Sequence, residues 1–238
     1  MRDELGNYRI GEFVAIFAAG VLTAVLGAVV ASPFGALAVV IASLMAQQVG
    51  HLTAIFLIAR SKGLRLDTLG LDVRPGDVRF AALGVALQIG LAIVFDPLTR
   101  WLIEDGPVQS LDPILRQADT TASRWALGLG IAFLAPVTEE LMFRGVLLYR
   151  MVRTRGPMVG LIVSSIVFAV LHSASLGGDS AENMLRAAAV ALPQLLLVGI
   201  VLGRQALRHG RLGPPIFTHI GFNLLAVVYL ISGLTIGS

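Results

Sequence analysis

Residues 13–32 run for twenty positions without an ionisable side chain. A run of about 20 apolar residues matches the helix length that crosses a bilayer, where the backbone must satisfy its own hydrogen bonds. Further apolar runs lie at about 34–58, 80–95, 123–152, 158–172, 185–202 and 215–236. The expected fold is therefore all-α, a polytopic transmembrane helix bundle of about seven spans. It forms one membrane-embedded domain over 1–238, with its motif-bearing core at about 123–236. Only 14% of residues are charged, against roughly 25% in soluble domains, so a water-soluble enzyme is excluded. Cysteine is absent, which removes disulfides, thiolate zinc sites and cysteine nucleophiles from consideration.

Charge placement gives an orientation. With the N-terminus inside, thirteen basic residues fall on inner segments and four (Arg100, Arg116, Arg124, Arg186) on outer ones. Arg144 is left within a span, and the pattern is positive-inside. The basic pI near 9.9 thus reflects topology and implies no nucleic-acid partner. A cleaved signal peptide ending at Val30-Ala31-Ser32 is disfavoured, because its flank mixes Asp3, Glu4 and Glu12 with Arg2 and Arg9. The chain is expected to be a multi-pass protein of the cytoplasmic (plasma) membrane. The connection at 60–79 interleaves basic residues with Leu64, Leu66, Leu69 and Leu71, and reads as interfacial. Asp96-Pro97 is expected to end the third span, an acidic excursion with Glu104, Asp105, Asp112 and Asp119 to follow, and Gly156-Pro157 to end the fourth.

The fourth span contains Thr138-Glu139-Glu140-Leu141-Met142-Phe143-Arg144 between apolar flanks. Ionised groups at membrane depth cost at least ~2.5 kcal/mol each, so such residues are paired or functional. Glu140 and Arg144 are spaced to pair at i,i+4, while Glu139 projects about 100° away from that face. Two later spans add polar groups that apolar packing does not require. Phe168 and His172 share one face of the fifth, and His219 and Asn223 share one face of the seventh.

Two chemistries suit such a set. In one, Glu139, His172 and His219 are the candidate ligands of a metal such as zinc that activates water. In the other no metal is needed: Glu139 with His172 deprotonates water, and His219 with Asn223 donates to the developing oxyanion. Either would hydrolyse an amide. His-Glu-x-x-His, Gly-x-Ser-x-Gly and Gly-x-Gly-Asp are absent, and Gly177-Gly178-Asp179 is a near miss in a loop. His51, in the second span beside Gln47 and Gln48, reads as satisfying a neighbouring helix, and His209 as a solvated loop residue.

Glu-Glu-x-x-x-Arg, then Phe-x-x-x-His, then His-x-x-x-Asn, in order over 135–223, resembles the CPBP family. These are the CAAX-protease and bacteriocin-processing (Abi-like) membrane proteins, which include the type II CAAX prenyl endopeptidases. The resemblance implies an intramembrane endopeptidase acting on a membrane-anchored protein or peptide tail in the lipid bilayer. It implies Glu139 as the water-activating carboxylate with Glu140 beside it and Arg144 as structural partner. It implies His172 as second catalytic group and His219 with Asn223 as the remaining site residues. The family is described both as metallo- and as glutamate protease, which leaves the metal open. The alternative from another class is a non-proteolytic scaffold or regulator whose polar cluster is interhelical glue. A transporter is weaker, since the first half offers only Gln47, Gln48 and His51 as polar breaks. Upright helices would also set His172 deeper than His219, a depth mismatch that the tertiary structure must resolve.

Overall fold

A computed structural model describes residues 7–102, 120–173 and 180–232. The described residues form seven long helices and no strands. They are α1 (Ile10–Ala31), α2 (Ala36–Ser61), α3 (Phe80–Leu102), α4 (Thr121–Arg155), α5 (Pro157–Ser173), α6 (Ala181–His209) and α7 (Gly213–Ser232). Five (α1, α2, α4, α6, and α3 with the turn before it) are long and apolar enough to cross a membrane; α5 is a shorter apolar helix. The fold is an all-α membrane bundle.

α4 is the central element. Its most apolar window is 61% buried, against 11–28% for the other four. Those four turn large apolar side chains outward, for example Val25, Val29, Leu57, Ile93 and Leu197. That pattern is expected where lipid is the solvent. α1 packs along α2, α3 along α7, and α5 along α6. Small residues permit these approaches. A Cβ on Gly199 would sit 3.0 Å from the Ser165 backbone, and one on Gly84 or Gly221 would overlap the backbone of the facing helix, at Thr218 and Ala81 respectively. The α3–α7 crossing is therefore backbone against backbone, and it sets where α7 presents His219 and Asn223.

Several boundaries differ from the sequence expectation. α3 does not stop at Asp96-Pro97 but continues to Leu102. Local bonds carry it across the proline: Thr99 Oγ1 donates to the Phe95 carbonyl at 2.9 Å, and Asp96 pairs with Arg100 at 2.8 Å. The acidic residues Glu104, Asp105, Asp112 and Asp119, and Gly177-Gly178-Asp179, lie outside the described residues. α6 extends to His209, which is its last residue rather than a loop residue; its ring meets the edge of Phe80 at 5.4 Å. α4 contains two π-helical stretches, Gly130–Leu134 and Leu141–Leu148, the second directly after the glutamate pair. Wide turns of this kind often occur at functional positions. Gly156 ends the helix with φ 88°, a conformation that suits glycine.

The connection between α2 and α3 is not a purely interfacial segment. Leu69 is fully buried, and the Leu212 amide donates to the Gly70 carbonyl at 2.7 Å. Gly145 and Tyr149 of α4 pack against these residues. α7 thus starts level with the 145–149 stretch of α4, not at the level of Arg155. This removes the depth mismatch: Glu139 and His172 lie at nearly equal chain distances from the Gly156 turn, and His219 begins its climb higher up. The start of α7 is pinned by buried Asp77, which accepts from Arg211 Nη2 at 2.6 Å and from the Arg74 amide at 2.9 Å.

The α3–α7 crossing should not tolerate bulk. Overpacking costs about 1–3 kcal/mol and more against rigid backbone. Gly84→Val and Gly221→Val are expected to lower the melting temperature of the detergent-solubilised protein markedly, whereas Gly90→Val, with open space around it, should not. A thermal unfolding series checks this.

Candidate active site

Glu140 and Arg144 are buried to 0% and 1% exposure, and Arg144 Nη1 lies 3.1 Å from Glu140 Oε1. The i,i+4 pairing read from the sequence is present. Glu140 also accepts from His219 Nδ1 at 3.0 Å, a contact that the linear spacing does not reveal. Arg144 donates through Nη2 to the Gly199 carbonyl at 3.3 Å and lies over the Phe168 ring at 4.6 Å. Phe168 is buried to 1% and also touches the His172 and His219 rings, with centroids at 4.1 and 5.9 Å. It holds both imidazoles in place.

Glu139 projects from another face of α4, toward His172. His172 Nδ1 lies 2.8 Å from the Phe168 carbonyl. A carbonyl only accepts, so Nδ1 carries a proton and donates it. His172 Nε2 then faces Glu139 Oε2 at 3.1 Å. Two lone pairs cannot meet at that distance, so a proton is shared between carboxylate and imidazole. His219 presents its Nε2 to the same Glu139 oxygen at 3.7 Å, beyond hydrogen-bond reach. Asn223 lies one turn further along α7, and its Nδ2 donates to the Ile131 carbonyl at 2.9 Å, within the first π-helical stretch. An amide has two N–H donors, so one remains uncommitted among the described residues.

These groups border one cavity of about 290 Å³. Glu139, His172, His219 and Asn223 form its polar side, and Leu44, Ile131, Leu195 and Phe222 are among its apolar walls. The structure thus brings all the sequence-selected polar residues into one place. It separates them by role: Glu139, His172, His219 and Asn223 border the cavity, while Glu140 and Arg144 lie behind it.

The donor types suit zinc, and each imidazole is held at Nδ1 as metal-bound histidines are. As placed, however, Glu139 and His172 contact each other directly, and among the described residues no three His, Asp or Glu side chains are arranged to hold a metal ion. No step below is routed through a metal.

Fold and site together define an all-helical membrane protein with a buried acid–histidine centre. Residues 121–225 match the family model described as Rce1-like, type II CAAX prenyl endopeptidase Rce1-like. The motif-bearing segment, from α4 into α7, is thus similar to that family, as the three motifs led one to expect. No curated protein and no solved structure matches the chain.

Removing one member of a buried ion pair typically costs about 3–5 kcal/mol, because the other charge is stranded. Arg144→Ala should therefore yield little folded protein, and Glu140→Gln a reduced melting temperature. Size-exclusion profiles in detergent provide the check; a wild-type profile for Arg144→Ala would refute the structural role.

Proposed function

We propose that this protein is an intramembrane endopeptidase that hydrolyses a peptide bond in a membrane-associated protein or peptide tail. The observation that supports this most is the shared-proton contact between Glu139 and His172 at the edge of an otherwise apolar cavity. In this reading a water beside Glu139 gives its proton to the carboxylate–imidazole pair as its oxygen attacks the scissile carbonyl. Negative charge then develops on the carbonyl oxygen. The uncommitted Asn223 N–H is a donor to it, and His219, whose Nδ1–H is held by Glu140, donates through Nε2 when the ring carries both protons. Collapse of the tetrahedral intermediate breaks the C–N bond, and the pair returns the proton to the leaving amine. Glu140 acts as a positioning residue, holding His219 much as a buried carboxylate orients the histidine of a hydrolytic triad. The low dielectric around the cavity strengthens each of these interactions.

The substrate is proposed at class level: a chain already held in the bilayer, presenting an extended peptide to the apolar walls. Neither the cavity residues nor the motifs select an isoprenoid over another anchor.

The test is cleavage of quenched-fluorescent peptides tethered to vesicles through an acyl or an isoprenoid chain. Glu139→Gln and His172→Ala should abolish turnover while the protein remains folded. Asn223→Ala should reduce it by ~10²-fold, the scale of losing one oxyanion donor. Full turnover in Glu139→Gln would remove Glu139 as the water-activating group; no turnover by the wild type, with Glu139→Gln as stable as the wild type, would favour the scaffold reading, since an amide preserves most of the hydrogen bonding that glue requires. Prolonged chelation should leave cleavage intact. Loss on chelation restored by zinc, with bound zinc missing from purified His172→Ala and His219→Ala, would instead make Glu139, His172 and His219 metal ligands.

A further inference from the structure

Hydrolysis consumes a water at each turnover, yet Glu139 lies among helices whose outer faces are apolar. A second polar patch lies close by. Gln48 and His51 of α2 are buried to 3% and 2% exposure. Gln48 Oε1 has no hydrogen-bond partner among the described protein groups, and the His51 ring nitrogens make no well-aligned hydrogen bond, the Phe17 carbonyl being the one backbone group within reach of the ring. Unpartnered polar atoms are costly inside a membrane bundle, and buried ones are normally satisfied by protein or by ordered water.

Their placement ties them to the site. Leu44, Gln48 and His51 fall on one face of α2 at i, i+4 and i+7, and Leu44 borders the cavity that holds Glu139. The depth agrees. Phe13 of α1 meets Phe143 of α4 edge to face at 5.7 Å, and one turn further out lie Phe17 and Glu139. His51 stacks on Phe17 at 6.4 Å and lies within electrostatic reach of Glu139. Room for the imidazole is made by Gly20, where any Cβ would overlap the ring. Toward the inner surface the stripe is closed by Ile55 and Ala59, buried to 2% and 1%. The polar stretch therefore ends in an apolar seal on one side and leads toward the cavity on the other.

We propose that Gln48 and His51 form a buried hydration site, continuous with the cavity, that positions the water delivered to Glu139. Both are positioning residues. A neutral imidazole offers one donor and one acceptor and the Gln48 Oε1 another acceptor, a set that suits ordered water, which typically makes about three hydrogen bonds. The catalytic part of this inference rests on the proposed endopeptidase activity; the hydration part does not.

The experiment uses the full-length protein in detergent with ¹⁵N-labelled histidine, the His51 signal being identified by its loss in His51→Phe. Magnetisation transfer between water and the His51 ring is expected in the wild type and should weaken in Gln48→Met. In the vesicle cleavage assay, Gln48→Met and His51→Phe should lower kcat about tenfold with KM within twofold, and His51→Gln should restore at least a third of the rate. Absence of water contact at His51, with Gln48→Met and His51→Phe both melting higher than wild type, would overturn the proposal, because dry unpartnered groups are stabilised by apolar replacement. Water contact with unchanged kcat in both variants would overturn the delivery role. If the wild type cleaves no peptide, the endopeptidase reading fails, and the water contact alone decides the hydration site. That contact is measured on unsubstituted protein, so a variant that does not fold leaves the decision intact.

Discussion

The buried charge pair of Glu140 and Arg144 is the constraint on which the rest of the bundle depends. Taking both groups out of water is expensive, and their mutual attraction offsets that cost only with good geometry and further partners. The structure supplies partners from three other helices, while Glu140 Oε2 and Arg144 Nε make no hydrogen bond among the described residues. His219 of α7 donates to Glu140, the Gly199 carbonyl of α6 accepts from Arg144, and Phe168 of α5 lies under the guanidinium. One i,i+4 pair on α4 thereby fixes the positions of α5, α6 and α7. The geometry of the candidate site follows from the same contacts, since Phe168 and His219 belong to both.

Two adjacent glutamates acquire different work from helix rotation alone. Glu140 points into the packed interior and is fully buried; Glu139 points to the cavity and is partly open. A single residue of phase separates the group buried in the bundle's ion pair from the group that borders the cavity. The Gln48–His51 patch extends the second environment onto α2. The cavity then has a polar side distinct from its apolar walls, as the proposed hydrolysis of a lipid-borne peptide requires.

The polar residues of the site were legible in the sequence because lipid makes each of them conspicuous. Glu139, Arg144, His172 and His219 interrupt long apolar stretches, and their i,i+4 spacing assigns faces. Pairing between helices was not legible. Glu140 was matched to Arg144 by spacing, but its second partner lies 79 residues away, where no local pattern points. The level at which α7 enters the bundle is not legible for a similar reason. Leu69 and Gly70 look like an interfacial connection in the sequence, yet they pack under α4 and lift α7 into the bundle. Pro97 misled in the opposite sense: a proline costs a helix one hydrogen bond, and local bonds from Thr99 and Asp96 carry the chain past it.

The sequence by itself determined the class of fold, the membrane setting and the identity of the polar residues, because hydrophobic run length and the cost of buried charge act locally along the chain. Tertiary structure alone decided which of those residues meet: the shared proton of Glu139 and His172, the support of His219 by Glu140, and the nearness of His51 to the site. These depend on depth and on helix approach, set by backbone contact at Gly84, Gly199 and Gly221 and by the buried turn at Leu69. Such contacts join residues far apart in the chain, and a glycine shows in the sequence only that close packing is permitted, not which helix makes the approach.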